Sequence, residues 1–126
     1  MSATEFELRK LLEDATFYIK NAVEDETYHE KSKTCLDRAD QILLENTRSS
    51  FIELSAEVIV WLAEVSLLSN KRDEQAERVL EIFFQRIQQE DQFYCRALLA
   101  QATIEVRNQS LRFKSKFEFF VTVAFD

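Results

Sequence analysis

Glycine and proline are both absent from this chain of 126 residues. At average usage, about 7% glycine and 5% proline, a chain of this length would contain roughly 15 of them. Tight turns with a positive φ angle, phosphate-binding loops and dinucleotide-binding turns all require glycine at fixed positions. The sequence therefore counts strongly against hairpin-rich β folds and nucleotide-binding loops, and it favours helices joined by short polar turns.

Basic residues are also scarce, since 16 lysines and arginines face 23 acidic residues and the net charge is -7. A protein that binds nucleic acid needs a basic stripe to neutralise several phosphates, and none is visible. We therefore expect no nucleic-acid partner. Only the C-terminal segment is slightly basic, with Arg112, Lys114 and Lys116 against Glu118 and Asp126.

Residues that commonly carry chemistry are few: one histidine, His29, and two cysteines, Cys35 and Cys95. A catalytic histidine would need an orienting carboxylate and a pocket, and a zinc site would need a recognisable Cys/His spacing. An enzyme would require convergent polar groups that the sequence does not reveal. We interpret the chain as non-enzymatic and without metal or other cofactor. The two cysteines are expected to lie in helices as free thiols, in a protein of a reducing intracellular compartment.

Long apolar runs are missing as well, and no segment approaches the 18 or so residues of a membrane span. The N-terminal stretch MSATEFELRKLLED has no apolar run of signal-peptide length, and it is acidic, unlike a transit peptide. The sequence predicts a cytoplasmic protein with no membrane partner. Its length predicts one domain that buries roughly two-thirds of the surface exposed by the unfolded chain.

Apolar residues recur every three or four positions along most of the chain, which is the period of an amphipathic helix. This pattern predicts an all-α fold of five helices, at about residues 5–23, 28–45, 51–68, 74–88 and 91–106. Connections of about three to five residues place successive helices antiparallel. The third helix is apolar nearly all round, so we expect neighbours to cover more than one of its sides.

Details of three helices follow from the same pattern. Thr4 is expected to cap the first helix with Glu7 as its capping-box partner, and Ser49 or Ser50 to cap the third. The apolar stripe expected for the fifth helix consists of Tyr94, Cys95, Leu98, Leu99, Ala102 and Val106 or Thr103.

Similar spacings recur between pairs of helices. Ser32, Leu36 and Ala39 in the second helix correspond to Ala76, Leu80 and Phe83 in the fourth, and Leu62-Ala63 precedes Leu99-Ala100 by 37 residues. A large-small pair followed by a small residue and a large one resembles the tetratricopeptide repeat family over about residues 28–106. Ile59 stands where that family has tryptophan. The resemblance implies antiparallel hairpins stacked as an array, and binding to other proteins.

Within that family, one stretch is similar to the opening region of the large axonemal repeat proteins, the cilia- and flagella-associated proteins. The stretch is AEVSLLSNKRDEQAE followed by QFYCRALLAQA. This second resemblance implies a scaffold role in ciliary microtubule assemblies, with a larger axonemal protein as partner. It also raises the hypothesis that the chain is a shortened relative of a longer repeat protein.

The chain ends on RFKSKFEFFVTVAFD, in which apolar residues tend to alternate with polar ones. Period two predicts a strand, so we expect a helical domain at residues 1–110 and an extended apolar tail at 111–126. Such a tail would lie along the protein's own helices, add to another chain's sheet, or fray. Alternatively, it replaces a longer array and has no function. The candidate partner-binding residues in it are Phe113, Phe117, Phe119, Phe120 and Phe125.

Trp61 in the third helix has two interpretations: a core residue, or a partly exposed anchor for a partner in a repeat groove. We include it among the candidate partner-binding residues. The sequence as a whole favours a non-catalytic interaction or scaffold module. The alternative is a closed helical bundle acting as a regulatory or adaptor protein, which would bury Trp61 and both faces of the third helix.

Overall fold

The structure, a computed structural model, describes residues 2–48, 54–69 and 71–125, with side chains described as far as Arg112. These residues form five α-helices and no β-strand. The helices are α1 (Ala3–Lys20), α2 (Thr27–Thr47), α3 (Ala56–Leu68), α4 (Asp73–Arg86) and α5 (Tyr94–Phe125). The all-α fold predicted from the sequence is confirmed.

Helices that follow one another in sequence pack as hairpins, α1 against α2 and α3 against α4. α3 also packs against α1 and α5, and α5 lies against α4 as well. Polar contacts join α2 to α4, for example Arg78 Nη2 to Asp40 Oδ2 at 3.2 Å. The two hairpins therefore lie side by side with α3 in the middle, and α5 follows on the open side of the second hairpin.

α3 forms the centre of the hydrophobic core. Its N-cap is Ser55, whose hydroxyl accepts a hydrogen bond from the backbone of Val58 at 3.4 Å. Its buried residues are Val58, Ile59, Val60, Leu62, Ala63, Val65, Ser66 and Leu67. The buried Ser66 hydroxyl donates to the Leu62 carbonyl at 2.8 Å, so no polar atom is stranded there. The prediction that this helix is covered on more than one side is confirmed.

The turns use polar side chains where other proteins use glycine or proline. At the end of α1, the Asn21 side chain donates to the Phe17 carbonyl at 2.8 Å. At the start of α2, Asp25 Oδ1 accepts from the backbone N–H of Thr27 at 2.9 Å. Asp91 makes the corresponding contact with the backbone of Phe93 before α5, at 2.8 Å. Such local bonds fix a turn without a positive φ angle.

Arginine joins the helices to one another. Within the described residues, every ion pair between two helices has an arginine as its cation. The pairs are Arg9 with Glu57, Arg38 with Glu7, Arg78 with Asp40, Arg96 with Glu64, and Arg107 with Asp73. Arg72, the N-cap of α4, pairs in the same way with Asp37 of α2. The planar guanidinium can reach two acceptors at once, which suits contacts between helix surfaces.

A polar cluster links the start of α1 to the start of α3. The carboxylate of Glu5, which is buried, accepts from the Ser55 backbone N–H at 2.6 Å and from Arg9 Nε at 3.3 Å. Arg9 Nη1 then donates to Glu57 Oε1 at 2.7 Å. Burial acts most strongly on the pKa of Glu5 and raises it, but hydrogen bonds from Ser55 and Arg9 together outweigh burial. The pKa of Glu5 is therefore lowered.

The helix caps differ from those expected. Ser2, not Thr4, is the N-cap of α1, and its hydroxyl accepts from the Glu5 backbone at 3.1 Å. The sequence offers two overlapping Ser/Thr-x-x-Glu patterns, and the observed one allows Glu5 to reach Ser55. Ser49 and Ser50 lie outside the described residues.

The stripe expected for α5 is wrong beyond Tyr94, which is half-buried against the core. The residues that α5 buries are Ala97, Ala100 and Ile104, whereas Leu99 is 69% exposed and Val106 is 61% exposed. Alanines let the helix axes approach closely, and packing against α3 and α4 selects this side of α5 over the more apolar one.

The C-terminal segment also differs from the extended tail expected, because α5 continues to Phe125. No glycine or proline stops the helix, and each residue added to an existing helix gains a hydrogen bond. Phe113, Phe117 and Phe120 are spaced by four and three residues, so the segment fits a helical period as well as an alternating one. The boundary expected at residue 110 therefore falls inside a helix.

Among the side chains that the structure describes, Phe83 is the largest that is completely buried. We expect Phe83→Ala to lower the free energy of unfolding by about 3–5 kcal/mol, because it removes apolar contacts and leaves a cavity. Phe6→Ala is the matched control, since Phe6 is 68% exposed, and should change stability by about 0.5 kcal/mol or less. Urea unfolding followed by circular dichroism measures both. Equal effects would contradict the assignment of the core.

Glu5 predicts a dependence of stability on pH. Its lowered pKa in the folded state means that the ionised carboxylate stabilises the fold above its unfolded pKa. This contribution disappears as the pH falls through the folded-state pKa. Glu5→Gln should therefore reduce stability at neutral pH and lose less stability on acidification than the parent chain. Urea unfolding over a pH series, with the exposed Glu13→Gln as control, tests this; the same acid response in both variants would refute it.

Candidate functional site

α3 is open to solvent along one narrow strip. Beyond its first residue, the positions that are not buried are Glu57, Trp61, Glu64 and Leu68. Their spacing of four, three and four residues places them on one side of the helix. Trp61 is half-buried and packs against the core, while Leu68 is exposed. The strip therefore combines an anchored aromatic ring, an apolar end and two carboxylates.

α5 borders this strip and is fixed to it by an ion pair. Arg96 Nε donates to Glu64 Oε2 at 3.2 Å, and Arg96 Nη2 donates to the other carboxylate oxygen. The guanidinium of Arg96 also lies over the ring of Phe93, 5.5 Å from its centroid. A two-point contact between arginine and carboxylate fixes direction as well as distance. This pair sets the position of α5 against α3.

A groove of about 530 Å³ runs between α3 and α5. Its lining consists of Glu64, Leu67, Leu68, Arg96, Leu99, Ala100, Thr103 and Arg107. Arg107 lies at one end, where it donates to Asp73 at 2.7 Å and to the Leu67 carbonyl at 3.1 Å. We call Trp61, Leu68 and Leu99, together with the Glu64 and Arg96 pair, the open face. Such a surface can bury an apolar side chain and offer polar contacts beside it.

A second groove, of about 780 Å³, lies between α4 and α5. Leu80, Phe84 and Ile104 form its apolar part. Four glutamates line it as well: Glu74, Glu77, Glu81 and Glu105. We call this the acidic groove. It differs from the open face because, within the described residues, these four carboxylates have no ion-pair partner, and Arg78 in the same lining is paired with Asp40.

The structure describes the side chain of only one of the residues predicted to bind a partner. Trp61 lies on the open face and is half-buried. It therefore packs partly in the core and is also partly exposed to a partner. Phe113, Phe117, Phe119, Phe120 and Phe125 belong to α5, but their side chains lie outside the described part of the chain. Their role in binding stays a prediction.

Sequence reasoning missed Leu68 and Leu99 as surface residues. The stripe expected for α5 includes Leu99 because Leu99 is spaced by three or four residues from Cys95, Ala102 and Thr103. The signal that was available is the second stripe of α5, in which Ala97, Ala100 and Ile104 are spaced by three and four residues. A helix with two apolar sides can pack one of them in the core and leave the other exposed to solvent.

Residues with reactive side chains do not converge. His29 is exposed at the start of α2, and Cys35 and Cys95 are free thiols, the first half-buried and the second exposed. Burial, followed by the charge of Asp14, raises the pKa of Cys35. Among the residues that the structure describes, no group of three or more His, Cys, Asp or Glu side chains could hold a metal ion. No helix in the same part is long and apolar enough to cross a membrane.

Comparisons with protein-family models, with curated proteins and with solved structures found no match to this chain. The resemblance to tetratricopeptide repeats therefore stays a prediction from the sequence. The functional interpretation rests on the geometry of the helices and on the side chains that they leave uncovered.

The two thiols should differ in reactivity. Cys95 is exposed, whereas Cys35 is partly shielded and has a raised pKa, so less of it is thiolate at neutral pH. We expect Cys95 to be alkylated at least about tenfold faster. Mass spectrometry during iodoacetamide treatment of the parent chain, Cys35→Ser and Cys95→Ser measures this. Faster reaction at Cys35 would contradict the placement of α5.

Proposed function

We propose that this protein is a non-catalytic interaction module that holds another protein on the open face. The observation that carries the proposal is the way α5 is attached. α5 packs through Ala97, Ala100 and Ile104, so Leu99 is not used to hold the fold together and is 69% exposed. Leu68 on α3 is exposed beside the same groove. An apolar surface that the fold does not need is available for a partner.

The energetics of such a surface suit binding. Covering a leucine side chain that was exposed to water contributes about 1.5–3 kcal/mol. Leu68 and Leu99 supply two such side chains, and the half-buried ring of Trp61 adds a position of the kind that often dominates binding energy. The Glu64 to Arg96 pair lies at the rim, where it directs orientation more than affinity.

The partner in this proposal is a larger scaffold protein of the ciliary axoneme. What supports this is the similarity of residues 63–77 and 92–102 to the opening region of large axonemal repeat proteins. These stretches cover the second half of α3, the first turns of α4 and the start of α5. Two of these helices, α3 and α5, form the open face. The protein would then act as a structural component of a microtubule assembly.

The alternative function, a regulatory or adaptor protein built as a closed bundle, needs the strip on α3 to be covered. In the described part of the chain Trp61 is half-buried and Leu68 is exposed. This observation favours the interaction module over the closed bundle.

Capture of proteins from extracts of ciliated cells tests the proposal. The immobilised full chain should retain a specific protein, and Leu99→Asp should reduce its recovery at least about tenfold, because one buried leucine contact is lost and a charge is placed at the interface. Phe6→Asp is the matched control, since Phe6 on α1 is 68% exposed. It should retain the protein at the level of the parent chain.

Circular dichroism confirms beforehand that both variants are folded. Equal recovery by the parent chain and Leu99→Asp would remove the open face from the function. Recovery of tubulin or of a large axonemal protein would support the ciliary assignment, and recovery of proteins unrelated to the axoneme would count against it.

A further inference from the structure

The acidic groove has an unbalanced charge. Glu74, Glu77 and Glu81 are spaced by three and four residues along α4, and Glu105 faces them from α5. None of these four carboxylates has an ion-pair partner within the residues that the structure describes. The one cation in the lining is Arg78, which is already paired with Asp40 of α2 at 3.2 Å.

The middle of the groove is apolar. Leu80 and Ile104 are buried in its floor, and Phe84 is half-buried beside them with its ring 5.3 Å from that of Tyr94. An apolar floor flanked by acids fits an amphipathic helix that carries basic residues next to its apolar side. The lining on α4 extends from Glu74 to Gln85, or about 16 Å at 1.5 Å per residue. This length accepts a helix of about eleven or twelve residues.

The chain itself contains a segment of this kind. Residues 112–123 are RFKSKFEFFVTV, with three basic residues and one acid, and they belong to α5. Phe113, Phe117 and Phe120 recur at helical spacing, and Arg112 and Lys116 are four residues apart beside them. We call residues 112–123 the basic end of α5. Its sequence is complementary to the acidic groove in charge, in apolar pattern and in length.

The basic end cannot reach the groove of its own molecule. Ile104 and Glu105 line the groove from α5, and the same helix continues without a break to Phe125. A straight helix carries residues 112–123 about 10–27 Å beyond Glu105, away from the groove. A second molecule has no such restriction.

We propose that the acidic groove binds the basic end of α5 from a second copy of this chain. The carboxylates of Glu77 and Glu81 would pair with Arg112 or Lys116, and the phenylalanines would cover Leu80, Phe84 and Ile104. Each copy offers one groove and one basic end, so the contact is head to tail. Reciprocal exchange gives a closed dimer, and non-reciprocal contacts give an open chain of molecules. This inference goes beyond the proposed function and uses α4 instead of the open face.

Sedimentation velocity of the full chain over a range of concentrations tests the inference. We expect reversible self-association that weakens at least about tenfold between low and high salt, because exposed ion pairs are screened. Glu77→Lys/Glu81→Lys should abolish association by reversing the charge of the groove, and Arg112→Glu/Lys116→Glu should abolish it by reversing the charge of the basic end. Glu105→Lys, on the opposite wall, provides an independent groove variant.

Mixing is the decisive step. Each double variant alone should be monomeric. The groove variant keeps an intact basic end, and the basic-end variant keeps an intact groove. An equimolar mixture of the two should therefore associate again. Glu13→Lys/Glu45→Lys makes the same change in net charge as the groove variant, but at exposed positions of α1 and α2. This control should associate like the parent chain. Circular dichroism shows that each variant is folded.

A monomeric parent chain at all concentrations would overturn the inference, and so would association lost equally in the control or not restored by mixing. Binding of a basic helix from another protein to the groove of a monomeric chain would also overturn it. Leu99→Asp separates this inference from the proposed function, because it should leave self-association unchanged while it removes the partner from the open face.

Discussion

The burial of α3 is the constraint on which the rest of the structure depends. This helix packs against α1, α4 and α5, and most of its side chains are removed from water. Apolar burial on three sides supplies the main driving force for bringing the two hairpins and α5 together. The arginine–carboxylate pairs at the helix surfaces fix how the helices are oriented relative to one another, which hydrophobic contact alone would specify less well. The side of α3 that these helices leave uncovered forms part of the open face.

The attachment of α5 shows how a stable fold and an available surface coexist. A helix held by leucines would have hidden the residues best suited to bind a partner. Ala97, Ala100 and Ile104 instead provide a close seam, reinforced by Arg96 and Arg107, and the larger apolar residues remain on the outside. The same helix forms a wall of the acidic groove and continues into the basic end, so it contributes to both proposed contacts.

Much of the fold could be predicted from the sequence because helical periodicity and the absence of glycine and proline point the same way. The nearly continuous apolar character of α3 predicted that neighbours cover more than one of its sides. Periodicity alone does not choose the buried face of α5, because the sequence offers two apolar stripes, one with Leu98 and Leu99 and one with Ala97 and Ala100. The choice between them depends on how closely α3 and α4 approach. The half-burial of Trp61 is likewise decided by its neighbours. For the last fifteen residues, alternation and helical spacing coexist, and local sequence cannot choose between them.

The central claim is that the open face contacts another protein while the helical fold stays intact. Site-specific photo-crosslinking in ciliated cells tests it most directly, with a benzoyl-phenylalanine placed at position 99 or, as a control of equal exposure, at position 6. The account predicts a discrete crosslinked protein from position 99 and none from position 6. No crosslink from position 99, or the same products from both positions, would contradict it.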